Sequence, residues 1–233
     1  MSDEPRIDMI RAKWRMPAVA LFVWAFFTVT AQDRSGFTNV TSVALGSAIG
    51  QYTFTAPGYF GANSAQNEDD YKRVETVFGW WVKDGTVTLG LGIGWEQYAA
   101  SELGASPVSS GTYAQLPLFF DLRIHATRGK TTPFLLLQAG HSFGIQPFDV
   151  PRTAVTSTTT LLAQPVPLNG EEFAGGLGLL SQLSDQVGFQ FSFAYDHQVL
   201  NCVLKLEDAR SGYIEQHYGV RFNALRISAG LVF

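Results

Sequence analysis

The stretch TVTLGLGIGWEQY, residues 86–98, decides the fold of this chain. Apolar side chains occupy every second position from Val87 to Trp95, and glycine or polar residues occupy the positions between them. A period of two indicates a β-strand whose two faces lie in different environments. The same alternation recurs in YAQLPLFFDLRIHA, residues 113–126, and in VGFQFSFAYDH, residues 187–197.

The alternation predicts eight strands, and the connections between them alternate in length. Short turns are expected at 83–85, 127–131 and 183–186, and long loops at 53–71, 99–112, 146–170 and 198–217. This arrangement is typical of an all-β, antiparallel up-and-down barrel. In outer-membrane barrels the short turns are periplasmic and the long loops are extracellular. The predicted strands are 43–52, 73–82, 86–98, 113–126, 134–145, 172–183, 187–197 and 224–233.

The composition of the strands favours a lipid environment over a watery one. The six clearest strands contain only five charged residues among 71, whereas a water-facing surface carries about 25–35% charged side chains. The sequence therefore predicts a transmembrane barrel, with a soluble lipocalin-like binder as the less favoured alternative. Aromatic residues near the strand ends are expected to form two interfacial girdles. These residues are Trp80, Trp81, Trp95, Tyr98, Tyr113 and Tyr195.

The first 31 residues have the features of an export signal. Arg11, Lys13 and Arg15 precede a short apolar run, 16–31, which ends in small residues. This pattern predicts a cleaved signal peptide at 1–31 and a barrel domain at 32–233, and the protein is expected in the bacterial outer membrane. An uncleaved membrane anchor is the alternative, although the run is shorter than the roughly 20 residues that span a bilayer.

The mature chain resembles the small OmpA/OmpX-like outer-membrane β-barrel proteins over about residues 36–233. The stretches TLGLGIGWEQY, LPLFFDLRIHATRGKTTPFLLLQAGHSFG and RISAGLVF carry this resemblance. It implies that the barrel-assembly machinery reads the last strand and its terminal aromatic residue during biogenesis. The matching positions are Ile227, Ala229, Leu231 and Phe233.

Charged residues on the inward-facing side of the predicted strands are the first candidates for function. The interior of an eight-stranded barrel is just wide enough to be filled by side chains, and buried charges must find partners. The sequence therefore predicts a lumen plugged by a charge network. A narrow porin-like channel for small solutes is the alternative. The charges concerned are Arg73, Glu75, Glu96, Asp121, Arg123, Glu172, Asp196 and Arg226.

Catalytic, metal and cofactor sites are not expected. His141 and Ser142 are the types of residue that a lipid A-modifying enzyme uses, but neighbouring strand residues point to opposite faces. The protein is therefore predicted not to be an enzyme, and the lipid A-modifying reading is a less favoured alternative. A metal site is not expected, because His125, His197 and His217 are scattered and Cys202 is a lone thiol. The alternative is that Asp196, His197 and His217 meet across the last two strands.

The predicted role is structural or surface-interacting. Outer-membrane lipids are the expected partners of the apolar face, and the long loops at 63–73 and 147–170 are the expected place for an extracellular ligand. A nucleic-acid partner is not expected, because the net charge is −4 and no basic face is present.

Overall fold

The computed structural model describes residues 36–49, 51–55, 64–66, 70–82, 85–100, 111–150, 153–154, 158–184 and 187–233. These residues belong to one compact unit, Ala31–Phe233. The predicted signal peptide, 1–31, lies outside the described residues, as does most of the predicted loop 99–112. No helix among the described residues is long and apolar enough to cross a membrane.

Eight long antiparallel strands form a closed β-barrel, as predicted. Each of these strands pairs with the next one along the chain, and the last pairs back with the first. Six shorter strands extend the connections. In chain order the strands are β1 (Gly36–Ala48), β2 (Gln51–Thr55), β3 (Ser64–Gln66), β4 (Asp70–Val82), β5 (Val87–Ala100), β6 (Gly111–His125), β7 (Thr131–Gln146), β8 (Phe148–Val150), β9 (Thr153–Ala154), β10 (Thr159–Leu161), β11 (Gln164–Val166), β12 (Asn169–Gln182), β13 (Gly188–Asp208) and β14 (Gly212–Val232).

The stagger of the strands sets the width of the barrel. A row of cross-strand partners that starts at Val40 and passes once through every barrel strand reaches Phe222 on β14. Val40 itself pairs with Val232 on that strand, ten residues further along. Ten residues of stagger over eight strands tilt the strands by about 40° and leave an interior that side chains can fill.

The two faces of the barrel have the reverse polarity of a water-soluble protein. Large apolar side chains are exposed on the outside, among them Phe120 at 71% and Leu177 at 67%. Arginine, glutamate and glutamine side chains lie buried on the inside. Period-two alternation produces both faces, because successive residues of a strand point to opposite sides of the sheet.

The first strand begins earlier than predicted. It was expected at 43–52 but runs over Gly36–Ala48. The residues from Thr38 to Ser42 alternate weakly in hydropathy, since Asn39 and Thr41 are polar on the outward side. Pairing with both β4 and β14 holds this polar segment in the sheet.

The prediction of a long loop at 198–217 was wrong, because β13 and β14 continue as a hairpin beyond the apolar exterior. Leu200, Leu204 and Leu206 are buried on the inward side, and the outward side becomes polar. Because the outward residues are polar here, a search for alternating outward apolar residues does not detect this part of the strands. The predicted loops 53–71 and 146–170 contain short strands, and β4 begins at Asp70 rather than at residue 73.

Candidate functional site

Arg73 on β4 is the centre of a buried charge cluster. Its Nε donates to Glu75 Oε2 at 2.8 Å, and its Nη2 lies 3.2 Å from Glu172 Oε1. Its Nη1 lies 3.7 Å from Glu96 Oε1. The guanidinium also lies over the ring of Phe119, 4.7 Å from the centroid. One arginine therefore joins carboxylates from β4, β5 and β12 across the lumen.

Arg226 on β14 joins this cluster to the opposite wall. Its Nη1 lies 3.3 Å from Glu75 Oε2, and its Nε lies 3.4 Å from Asp196 Oδ2. Its Nη2 donates to Gln138 Oε1 at 2.6 Å. Arg226 is among the most deeply buried side chains of the described residues. It therefore bridges three strands that lie apart around the barrel.

A third arginine, Arg123, pairs with Asp121 on the same strand. Its Nε and Nη2 donate to the two carboxylate oxygens at 2.8 and 3.1 Å, and its Nη1 donates to Gln190. Gln138 Nε2 donates to Asp121 Oδ2 at 2.8 Å. Since Gln138 also accepts from Arg226, all eight charges singled out from the sequence belong to one continuous network.

Neutral polar residues complete this network, and the sequence reading did not single them out. Ser42 and Ser142 donate to Glu75 and Glu172 at 3.1 and 2.8 Å. Gln198 Nε2 donates to Glu96 Oε2 at 3.1 Å. Inward parity is the signal that could have identified them. Gln198 lies two residues from the inward charge of Asp196, and Ser42 and Ser142 alternate with outward residues on strands that carry no charge.

Aromatic rings close the lumen at the end that carries the long loops. We call Tyr71, Tyr98, Tyr113 and Phe222 the aromatic lid. The Tyr98 ring is stacked on Tyr113, with centroids 4.6 Å apart, and lies 5.2 and 5.1 Å from Tyr71 and Phe222. The Tyr71 hydroxyl donates to Asp196, and the Tyr98 hydroxyl donates to Gln198 Oε1 at 2.9 Å. The lid is thus bonded to the charge network beneath it.

A second aromatic group fills the lumen at the end that carries the short turns. The ring centroid of His125 lies 4.7 Å from that of Trp81 and 5.3 Å from that of Phe134. His125 Nε2 lies 3.3 Å from the hydroxyl of Thr88. Leu180 packs into the same apolar cluster as Phe134. Side chains therefore fill the barrel at both ends and in the middle.

Three of the six aromatic residues predicted for the interfacial girdles lie inside the barrel instead. Tyr98 and Tyr113 belong to the aromatic lid, and Trp81 contacts His125. Each shares its parity with an inward charge on the same strand, so the alternation itself excludes it from the lipid face. The other three, Trp80, Trp95 and Tyr195, are exposed on the outside.

The histidines do not converge on a site. His141 is exposed, whereas Ser142 is buried and bonded to Glu172, so the two side chains lie on opposite faces. His197 Nδ1 lies 2.7 Å from Asn223 Oδ1 on the outer face. The described residues include no group of three or more His, Cys, Asp or Glu side chains placed to hold a metal ion. Cys202 is a buried free thiol on the inward side of β13.

The last strand closes against the first. Phe233 N–H donates to the Asn39 carbonyl at 2.8 Å, and Asn39 N–H donates to the Phe233 carbonyl at 2.9 Å. Thr38 Oγ1 donates to the same Phe233 carbonyl at 3.1 Å. Ile227 and Leu231 are exposed on the outside beside this seam, and Ala229 shares their parity.

These features define an eight-stranded antiparallel barrel of the outer-membrane type. The fold is similar to that of the outer membrane protein OprG from Pseudomonas aeruginosa, with a TM-score of 0.54 and 13% identity over 85% of this chain and 95% of that one. Ail, the attachment invasion locus protein of Yersinia pestis, matches with a TM-score of 0.38 and 13% identity over 85% of this chain and 99% of that one.

The outer membrane protease OmpT from Escherichia coli matches with a TM-score of 0.40 and 9% identity over 88% of this chain and 98% of that one. No protein-family model matches the chain, and no curated protein matches it in sequence. At these identities the similarity to solved structures concerns the fold alone.

Proposed function

We propose that this protein is an integral protein of the bacterial outer membrane with a plugged lumen and a structural or surface-interacting role. The observation that carries the proposal is the continuous set of side chains inside the barrel. It runs from the aromatic lid, through the buried arginine–carboxylate network, to Phe134 and the partly buried Trp81. Three arginines that each hold two or more partners inside the barrel support this plug.

The exterior supports placement in a lipid bilayer. Exposed leucine, isoleucine and phenylalanine side chains surround the barrel strands, and we call them the apolar belt. Such a surface is favourable in lipid and unfavourable in water. In this placement the short turns are periplasmic, the long loops are extracellular and membrane lipids are the partners of the apolar belt. The seam at Phe233 is the segment presented to the barrel-assembly machinery.

The extended hairpin of β13 and β14 supports a surface role. It continues to Asp208 and Gly212, beyond the apolar belt, and its tip carries Tyr213 with 79% of its surface exposed. Strands β2 and β10 pair along its edges. A stiff hairpin of this kind presents a fixed surface to an extracellular ligand.

Conductance across planar bilayers tests the plug. The purified protein is expected to produce no steady single-channel steps. The double variant Arg73→Ser/Arg226→Ser removes the two side chains that bridge the lumen, and its folded fraction is expected to conduct. Steady steps from the unmodified protein contradict the plugged lumen and favour the narrow porin-like channel.

A further inference from the structure

The apolar belt contains a groove on the wall formed by β4, β5, β6 and β7. Its volume is about 520 Å³, which is in the range of sites that bind small molecules. The outward-facing side chains that line it are aliphatic or aromatic, so the groove suits an apolar occupant. They include Trp80, Leu89, Phe120, Leu122, Leu137 and Ala139.

A small residue between two large ones accounts for the depression. Ala139 on β7 pairs with Phe120 on β6 and with Phe173 on β12. Both phenylalanine rings project from the outer surface, with 71% and 48% of their area exposed. A methyl group between two projecting rings leaves a hollow that is open to the surrounding lipid.

The groove lies in the half of the apolar belt that is nearest to the short turns. Trp80 is two residues from the end of β4, and Leu137 is six residues from the start of β7. At a rise of about 3.3 Å per residue and a tilt of about 40°, they lie about 5 and 15 Å from these strand ends. Half of an apolar band about 25 Å tall is about 12 Å. The groove therefore follows one leaflet from its interface to the middle of the bilayer.

The turn at the foot of this wall is basic. Residues 126–131 join β6 to β7 and contain Arg128 and Lys130 but no acidic residue. Both side chains are exposed. The other two short turns differ, because 83–85 contains one lysine and one aspartate and 183–186 contains one aspartate. Positive charge at the interface thus coincides with the strands that form the groove.

We propose that this wall binds an anionic phospholipid of the periplasmic leaflet, with one acyl chain in the groove and the phosphate group against Arg128 and Lys130. The inference rests on the proposed placement in the outer membrane. Charge complementarity at the turn selects an anionic headgroup. A second copy of the chain fits less well, because a two-fold symmetric contact through this wall would bring two basic turns together.

Native mass spectrometry of the protein in nonionic detergent tests the site. The protein is incubated with equal amounts of phosphatidylglycerol and phosphatidylethanolamine that carry the same acyl chains. We expect at least about fivefold more retained phosphatidylglycerol. Equal retention of the two lipids overturns the proposal. A dimer that retains no lipid shows that a second copy occupies the groove, and it overturns the proposal as well.

A pair of double variants tests the headgroup contact. Arg128→Gln/Lys130→Gln changes two exposed turn residues, and its preference for phosphatidylglycerol is expected to be lost. Lys205→Gln/Arg210→Gln is the matched control, because it removes two exposed charges at the other end of the barrel. It is expected to keep the preference. An equal loss in both double variants, or no loss in the first, overturns the contact with the turn.

Filling the groove tests the acyl-chain contact. Ala139→Phe places a ring in the hollow and is expected to lose retention of both lipids. Val43→Phe is the control, because residue 43 is 60% exposed on β1 and lies outside the groove. Heat-modifiable gel mobility verifies the folding of both variants. Unchanged lipid retention in folded Ala139→Phe overturns the assignment of the groove.

Membrane fractionation and bilayer conductance report on the proposed function independently of this site. A protein that is integrated in the membrane and does not conduct, but shows no preference between the two lipids, contradicts the phospholipid site alone. Absence from the outer-membrane fraction contradicts the proposed function, and with it the phospholipid site.

Discussion

Phe233 and Asn39 exchange two main-chain hydrogen bonds, of 2.8 and 2.9 Å, and so join the last strand of the barrel to the first. This pairing matters because a bilayer does not tolerate an unpaired strand edge. The seam continues through Val40 and Val232, and on through Leu45 and Ile227. Barrel closure therefore extends to the last residue of this sequence.

Replacement of Phe233 by Asp is expected to lower the fraction of folded protein in outer-membrane preparations. The change places a charge at the lipid boundary of the strand that closes the barrel. The measurement is the proportion of heat-modifiable protein on a gel. Tyr213→Asp is the control, since this aromatic residue is exposed at the hairpin tip. If Phe233→Asp assembles normally while the control fails, the seam between β14 and β1 at Phe233 is not the edge whose pairing limits assembly.

Phe191→Arg is expected to reduce the free energy of unfolding by about 2–4 kcal/mol, because position 191 faces outward in the middle of a barrel strand. Residue 213 lies in water, so Tyr213→Arg is expected to change the free energy of unfolding by less than about 0.5 kcal/mol. Denaturant unfolding in lipid vesicles, followed by tryptophan fluorescence, measures both. Similar costs at the two positions are incompatible with a lipid-facing exterior.

Gly92→Ala is expected to destabilise the barrel by about 1–3 kcal/mol through overpacking. A Cβ at this position would overlap ring atoms of Phe119. Gly175→Ala is the matched control, because its Cβ meets only Leu137 Cδ2, at 3.8 Å. The double variant Gly92→Ala/Phe119→Leu is expected to recover part of the loss. Equal effects of the two glycine substitutions argue against the described packing of Phe119.

Arg226→Leu is expected to cost about 3–5 kcal/mol, because it leaves buried carboxylates without their partner. Glu75, Asp196 and Gln138 each lose a contact. The control is Arg210→Leu in the exposed turn, with an expected change below about 0.5 kcal/mol. Equilibrium unfolding in guanidinium chloride measures both variants. A neutral Arg226→Leu contradicts the bridging role of this arginine.

Cys202 lies beyond the apolar belt, and burial raises the pKa of its thiol from 9.0 to about 12. The thiolate is the reactive form, so alkylation of the folded protein at pH 8 is expected to be very slow. Because the pKa is higher in the folded state, the contribution of this thiol to stability is lost as the pH rises above 9.

Mass spectrometry after iodoacetamide treatment measures the reactivity of Cys202. The unfolded protein is the control and is expected to be fully modified at the same pH. Rapid modification of the folded protein contradicts the burial of Cys202 and, with it, the strand extension of β13.

The alternation of residues by itself determined which side of each barrel strand faces outward. Leu89 and Phe191 on one side, and Asp121 and Arg226 on the other, follow from a period of two. The same alternation assigns Tyr98, Tyr113 and Trp81 to the inside of the barrel, although their position at strand ends suggested the membrane interface. The physical reason is local: successive side chains of a strand point to opposite faces, whatever the rest of the chain does.

Only the tertiary structure decided which inward residues meet. Arg226 and Glu75 are 151 positions apart in sequence, and their contact depends on barrel closure and on a ten-residue stagger that no single strand encodes. The register of β4, β5 and β6 places Tyr71, Tyr98 and Tyr113 in one cross-strand row. Beyond the apolar belt, the hairpin of β13 and β14 also required the structure. There the solvent changes from lipid to water, so the buried apolar face moves from the outside of the sheet to the inside.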